Sequence, residues 1–138
     1  MAHTSLLPLS RPRTLRIAIV ENHEDTLTSL TRYLESQGHQ VDTATCMREG
    51  IDLLSDVLYD VLISDIGLPD GDGWELLCHI NPPPATYAVA MSGYCSKADQ
   101  EKSLAVGYRR HLTKPFTPAD IDVVLEAARM HHAQPGLA

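Results

Sequence analysis

Cysteine is scarce in this sequence and offers no pairing. Cys46, Cys78 and Cys95 are isolated and odd in number, and no CxxC occurs. A disulfide framework and a zinc site are therefore excluded as the basis of the fold. The three thiols are expected reduced and mostly buried, as in a cytosolic protein. Surplus positive charge is also missing. The formal net charge of −7 excludes general binding to nucleic acid, where basic patches supply the affinity. The one basic cluster, Arg11, Arg13 and Arg16, stands at the entrance to the first predicted strand and reads as a solvated leader. Long apolar runs are lacking as well. No stretch approaches the about 18 apolar residues that a membrane span needs. Leu6 to Leu9, interrupted by Pro8, is too short for a signal-peptide core. The expectation is a cytoplasmic protein with neither nucleic acid nor membrane as partner.

What is present suits one globular domain. The chain has 138 residues, 43% hydrophobic and 21% charged. A chain of this length buries roughly two-thirds of its unfolded surface and needs no staple to fold. Residues 1–14 are rich in Pro, Ser and Thr and read as a flexible leader; residues 133–138 read as a frayed tail. Residues 15–132 carry the domain.

Within it, strand-like and helix-like segments alternate. Arg16 to Val20 is a predicted strand, followed by a helix with Leu27, Leu30 and Leu34 on one face and Gly38 as its stop. Gln40 to Ala44 is a short strand, and Ile51, Leu54 and Leu58 mark a second amphipathic helix. Asp60 to Asp65 is the clearest strand, nearly continuous in apolar character, as a strand buried on both faces must be. Leu68-Pro69-Asp70-Gly71-Asp72-Gly73 reads as a loop, and Trp74 to Ile80 as a helix stopped by Pro82 to Pro84. Tyr87 to Met91 is a fourth strand, Lys97 to Val106 a fourth helix and Arg109 to Thr113 a fifth strand. The last helix puts Ile121, Val124, Leu125 and Ala128 on one face. Five βα units predict an α/β fold: a doubly wound parallel sheet with helices on both faces and right-handed crossovers.

In such a sheet, ligands bind beyond the carboxyl ends of the strands. The first predicted strand ends in Glu21 and Asn22, the third in Asp65, the fourth in Ser92 and the fifth in Lys114-Pro115. Two carboxylates, an amide, a hydroxyl and an ammonium thus converge on one edge. Hard oxygen donors suit Mg²⁺, which takes one or two carboxylates and completes its shell with water and phosphate oxygens. A lysine neutralises another phosphate oxygen and a serine hydroxyl bonds a third. Together they can stabilise a phosphoryl group in transfer, with aspartate itself as nucleophile.

Four segments now identify a relationship. Ile17-Ala18-Ile19-Val20-Glu21-Asn22, Asp60-Val61-Leu62-Ile63-Ser64-Asp65-Ile66-Gly67-Leu68-Pro69-Asp70-Gly71-Asp72-Gly73, Met91-Ser92-Gly93 and Lys114-Pro115-Phe116 resemble the receiver domain of two-component response regulators. The resemblance runs from about Leu15 to His131. It implies the flavodoxin-like strand order 2-1-3-4-5. It also implies that Asp65 is the phosphoacceptor, taking its phosphoryl group from a sensor histidine kinase or phosphotransfer protein. Mg²⁺ or Mn²⁺ would be held by Glu21, Asn22, Asp65 and the Gly67 backbone carbonyl. Lys114 would meet the phosphoryl oxygens, and Lys114-Pro115 would carry the family's cis peptide, which proline permits. Ser92 and His111 would form the switch, and a downstream protein would read the fourth helix, fifth strand and fifth helix. No turnover of a separate substrate is expected.

The sequence departs from the family at Asn22. Receivers usually have two adjacent acids after the first strand, the second touching the metal more directly. Asn22 offers an amide oxygen without charge, so the pocket has two formal carboxylates where the usual site has three. Two still fit the Mg²⁺ pattern, so weakened metal affinity with retained function is expected. Loss of metal-dependent phosphorylation would instead leave a pseudo-receiver, a protein-interaction module.

Blander readings attach to each residue. Asp65 alone is a cap, Lys114 alone a surface lysine, Ser92-Gly93 alone a turn, and His111 a half-buried strand residue. Asp70-Gly71-Asp72-Gly73 lacks the spacing of a calcium loop and reads as a turn into a helix. His23, His131 and His132 read as surface residues, and Trp74 as packing the third helix onto the sheet. An aspartyl phosphatase would place a second acid where Gly67 stands.

Overall fold

Strands without polar alternation become the middle of a sheet here. In the computed structural model, which describes residues 14–93 and 95–133, β1 (Arg16–Val20), β3 (Val61–Asp65) and β4 (Tyr87–Ser92) are buried along nearly their whole length. β2 (Gln40–Ala44) and β5 (Arg110–Thr113) are more polar and more exposed, and they form the two edges. All neighbours pair in parallel in the order β2-β1-β3-β4-β5. The leader 1–14 and tail 133–138 lie outside the described residues, apart from Thr14 and Ala133.

Successive strand residues face opposite layers. Ile17, Ile19, Val61, Ile63, Val89 and Met91 meet Leu30 and Leu34 of α1 (Glu24–Ser36) and Ile121, Val124 and Leu125 of α5 (Pro118–His132). Ala18, Val20, Leu62, Ala88 and Ala90 face the other way. They pack with Met47, Ile51 and Leu54 of α2 (Met47–Asp56) and Leu76 and Leu77 of α3 (Gly73–Ile80). α4 (Lys97–Val106) completes that layer. Both faces of the sheet are therefore covered, as parallel strands require.

Several expectations need correction. α2 stops at Asp56, because Val57 takes extended dihedrals, and Leu58 lies beyond it with 76% of its surface exposed. The segment after Asp65 is more ordered than a loop: Gly67–Leu68 pairs antiparallel with Gly71–Asp72 across Pro69 and Asp70. Asp72 then caps α3, while Asp70 accepts the amide N–H groups of Met47 and Arg48 at the start of α2. Trp74 is only half-buried. It still packs against the core cluster that Leu76 and Leu77 form with the sheet, and its indole also donates to Ser103 Oγ of α4 at 2.9 Å. The cysteines are not mostly buried: Cys78 is exposed, Cys46 and Cys95 intermediate. Cys46 occupies the N-cap of α2, where its sulfur accepts from the Glu49 amide. His131 is buried rather than on the surface, tilted against Tyr87 and 2.7 Å from the Pro84 carbonyl oxygen. His132 is half-buried, 3.0 Å from the Asp60 carbonyl oxygen. The last turn of α5 packs on the amino edge of the sheet, and that contact covers both rings.

Candidate functional site

The sheet's carboxyl edge gathers Glu21, Asp65 and Lys114. Backbone bonds across the strand ends hold them there. Glu21 N–H donates to Ala44 O, extending the β1–β2 ladder by one residue, and Lys114 N–H donates to Ser92 O, extending β5 beside β4. Ile66 N–H donates to Met91 O just past Asp65. Gly73 closes the turn from below. A Cβ at Gly73 would stand 2.6 Å from the Asp65 carbonyl oxygen, so only glycine permits this approach. Tyr108 Oη donates to Gly73 O at 2.6 Å and pins the contact.

Lys114 Nζ is 2.6 Å from Glu21 Oε1 and 3.1 Å from Asp65 Oδ2. Glu21 is wholly buried, and Asp65 is 6% exposed. One ammonium thus serves two carboxylates, leaving the pocket with net negative charge. Burial works to raise the pKa of Glu21, but hydrogen bonds from Lys114 and the His23 amide outweigh it and hold Glu21 below its ordinary value. Asp65 moves the other way: burial and the neighbouring Glu21 charge push it up, only partly opposed by Lys114. Burial would lower Lys114, yet its two acidic partners keep it raised. The Lys114-Pro115 peptide is cis. Beyond Lys114, a cleft of about 410 Å³ opens between Asp25, Thr26 and Ser29 of α1 and the segment Lys114–Phe116.

Ser92 and His111 are also brought together, with Ser92 Oγ 3.0 Å from His111 Nε2. Cys95 Sγ approaches the other ring nitrogen at 3.6 Å. Burial lowers the pKa of His111, against an opposing pull from Asp99. Gly67 is exposed two residues beyond Asp65, and Asn22 is exposed beside Glu21.

His23 is the residue that spacing missed. Its amide donates to Glu21 Oε2 at 2.9 Å and its ring Nδ1 lies 3.2 Å from the same oxygen. The side chain is 74% exposed, so it is a surface residue that nevertheless reaches the site. Its place two residues after Glu21 was the sole signal, and proximity in sequence does not orient a ring.

Donor atoms of Glu21, His23 and Asp65 all lie within 4.8 Å of one another. Two carboxylates in a negatively charged pocket are what a hard divalent cation requires, so the residues present fit Mg²⁺ or Mn²⁺.

Fold and site together define a class: a doubly wound α/β protein whose acid pair and lysine meet at the topological switch point between β1 and β3. The chain belongs to the response regulator receiver domain family, whose model matches residues 17–126. It is 32% identical over 108 residues to an uncharacterized 14.6 kDa protein from the sodA1 3′ region of Leptolyngbya boryana, covering 76% of this chain and 82% of that one. It is 28% identical over 120 residues to the transcriptional regulatory protein HprR of Escherichia coli (strain K12), covering 86% of this chain. It spans 54% of the length of HprR. The crystal structure of a CheY-like response regulator receiver domain protein from Methanospirillum hungatei JF-1 superposes with a TM-score of 0.81 at 28% identity, covering 86% of this chain and 97% of that one. The chain is accordingly a phosphoacceptor receiver of two-component signalling, and the pseudo-receiver alternative is not favoured. Among the described residues, no helix is long and apolar enough to cross a membrane.

Proposed function

We propose that Asp65 is the residue that takes the phosphoryl group, from a phosphohistidine on a sensor histidine kinase or phosphotransfer protein. The observation that carries this is Lys114 Nζ within hydrogen-bond distance of both Glu21 and Asp65. An Asp65 carboxylate oxygen attacks phosphorus, the phosphorus–nitrogen bond to the donor imidazole breaks, and its electron pair leaves with the imidazole. Lys114, already at Asp65 Oδ2, neutralises a phosphoryl oxygen as charge shifts onto it. Glu21, Asp65, the Gly67 carbonyl and Asn22 would hold Mg²⁺ or Mn²⁺, which supplies further charge neutralisation to the phosphoryl oxygens. The phosphoryl group stays on Asp65, so no turnover of a separate substrate is expected.

Ser92 is the hydroxyl placed to follow the new group, and its bond to His111 carries that movement to β5. A downstream protein then reads α4, β5 and α5. A hundredfold shift toward the active state needs about 2.7 kcal/mol, which one or two charge-assisted bonds can supply. This reading places the protein in the cytoplasm with its kinase.

Intact-mass spectrometry after incubation with a small phosphodonor tests it. One added phosphoryl group is expected with Mg²⁺, and none with chelator or in Asp65→Asn. Equal phosphorylation of Asp65→Asn would defeat the assignment.

A further inference from the structure

Once Lys114 is accounted for, Glu21 has Oε2 left, which accepts the His23 amide N–H at 2.9 Å and keeps a further lone pair for a cation. Oε1 is taken by the ammonium at 2.6 Å, and Oε2 faces the His23 ring, 3.2 Å from Nδ1. Adjacent ligands on an octahedral ion with bonds of about 2.1 Å stand about 3 Å apart. The Glu21–His23 spacing is therefore that of two neighbouring ligands, and Asp65 completes a set spanning no more than 4.8 Å. Asn22 brings no charge to this pocket, whereas His23 brings a nitrogen donor.

We propose that His23 is a ligand of the metal site and tilts it toward first-row transition cations over Mg²⁺. The inference rests on the reading of the pocket as a divalent-cation site. Imidazole is a borderline donor that suits the transition metals, while Mg²⁺ prefers oxygen and sheds water reluctantly. An all-oxygen pocket short of one carboxylate would bind both ions weakly. Adding a nitrogen improves only one of them. The His23 side chain is largely solvent-exposed, so its replacement leaves the core intact.

The test uses the full chain with Mn²⁺ and Mg²⁺ as probes. Mn²⁺ binding is followed by electron paramagnetic resonance and Mg²⁺ by competition, for wild type, His23→Ala and Asp65→Asn. Pulsed spectra of the Mn²⁺-loaded wild type are expected to show ¹⁴N coupling from imidazole, lost in His23→Ala. The ratio of Mn²⁺ to Mg²⁺ affinity is expected to fall by about tenfold in that variant. Binding of both ions without nitrogen coupling, and with a ratio unchanged by His23→Ala, would overturn the inference and leave the receiver reading standing. His23 would then be only a hydrogen-bond partner of Glu21. Failure of the wild type to bind either ion would overturn the inference and, with it, the reading of the pocket as a divalent-cation site.

Discussion

One ammonium stands between two buried carboxylates, and the two acids respond in opposite senses. Glu21, held below its ordinary value, contributes stability above pH 4.5 that is lost as pH falls through its folded pKa. Asp65 is raised, so the native state binds the extra proton from pH 3.8 up to its folded pKa. Stability falls as pH rises through that window, and the penalty is complete above it. Asp65→Asn should therefore melt higher than wild type at neutral pH, by roughly a few degrees. The advantage should vanish as the pH drops below 3.8; thermal melts across that range check it. Lys114→Met removes the cation while leaving Asp65 in place. Loss of one such charge-stabilising donor slows reaction by about 10²–10³-fold, to be read as the rate of phosphoryl gain from a small donor.

At the scale of elements, the turn between β3 and α3 is fastened on both sides. Asp70 ties it to the start of α2, and Gly73 lets α3 begin directly beneath Asp65. Gly73→Ala would press a methyl group against the Asp65 carbonyl oxygen and Tyr108 Oη. Overpacking of this kind costs about 1–3 kcal/mol. Urea unfolding should show that loss, and phosphorylation should slow as well, because the backbone carrying Asp65 must shift. A variant with normal stability and normal phosphorylation would show the contact to be slack.

For the molecule as a whole, α3 begins beneath Asp65 and is tied along its flank to α4. Trp74 is the single tryptophan of the chain. It joins α3 to α4 through Ser103 at 2.9 Å, with Lys102 Nζ 4.2 Å from its ring centroid. Any displacement of α4 on phosphorylation must change both contacts. Tryptophan emission should therefore change on addition of a small phosphodonor with Mg²⁺, and remain constant in Asp65→Asn. An unchanged emission in phosphorylated wild type would mean that α4 keeps its place against α3.

The fold was legible because its signals are local or periodic. Continuous apolar strands, three-and-four spacing in helices and glycine or proline stops require no knowledge of distant residues. Parallel connection then sends every strand's carboxyl end to one edge, so Glu21, Asp65, Ser92 and Lys114 could be grouped from sequence order alone. What depended on long-range packing was not legible. Asp70 reaches α2 from 23 positions away, His131 is buried by the amino edge of the sheet, and Leu58 is exposed because α2 ends early. Spacing placed His23 two residues after Glu21 but could not aim its ring at Glu21 Oε2. That orientation, and the choice of Glu21 as the buried partner of Lys114, were decided by tertiary structure. Side-chain direction at a strand's end follows from what the neighbouring strands leave open, and no single segment encodes it.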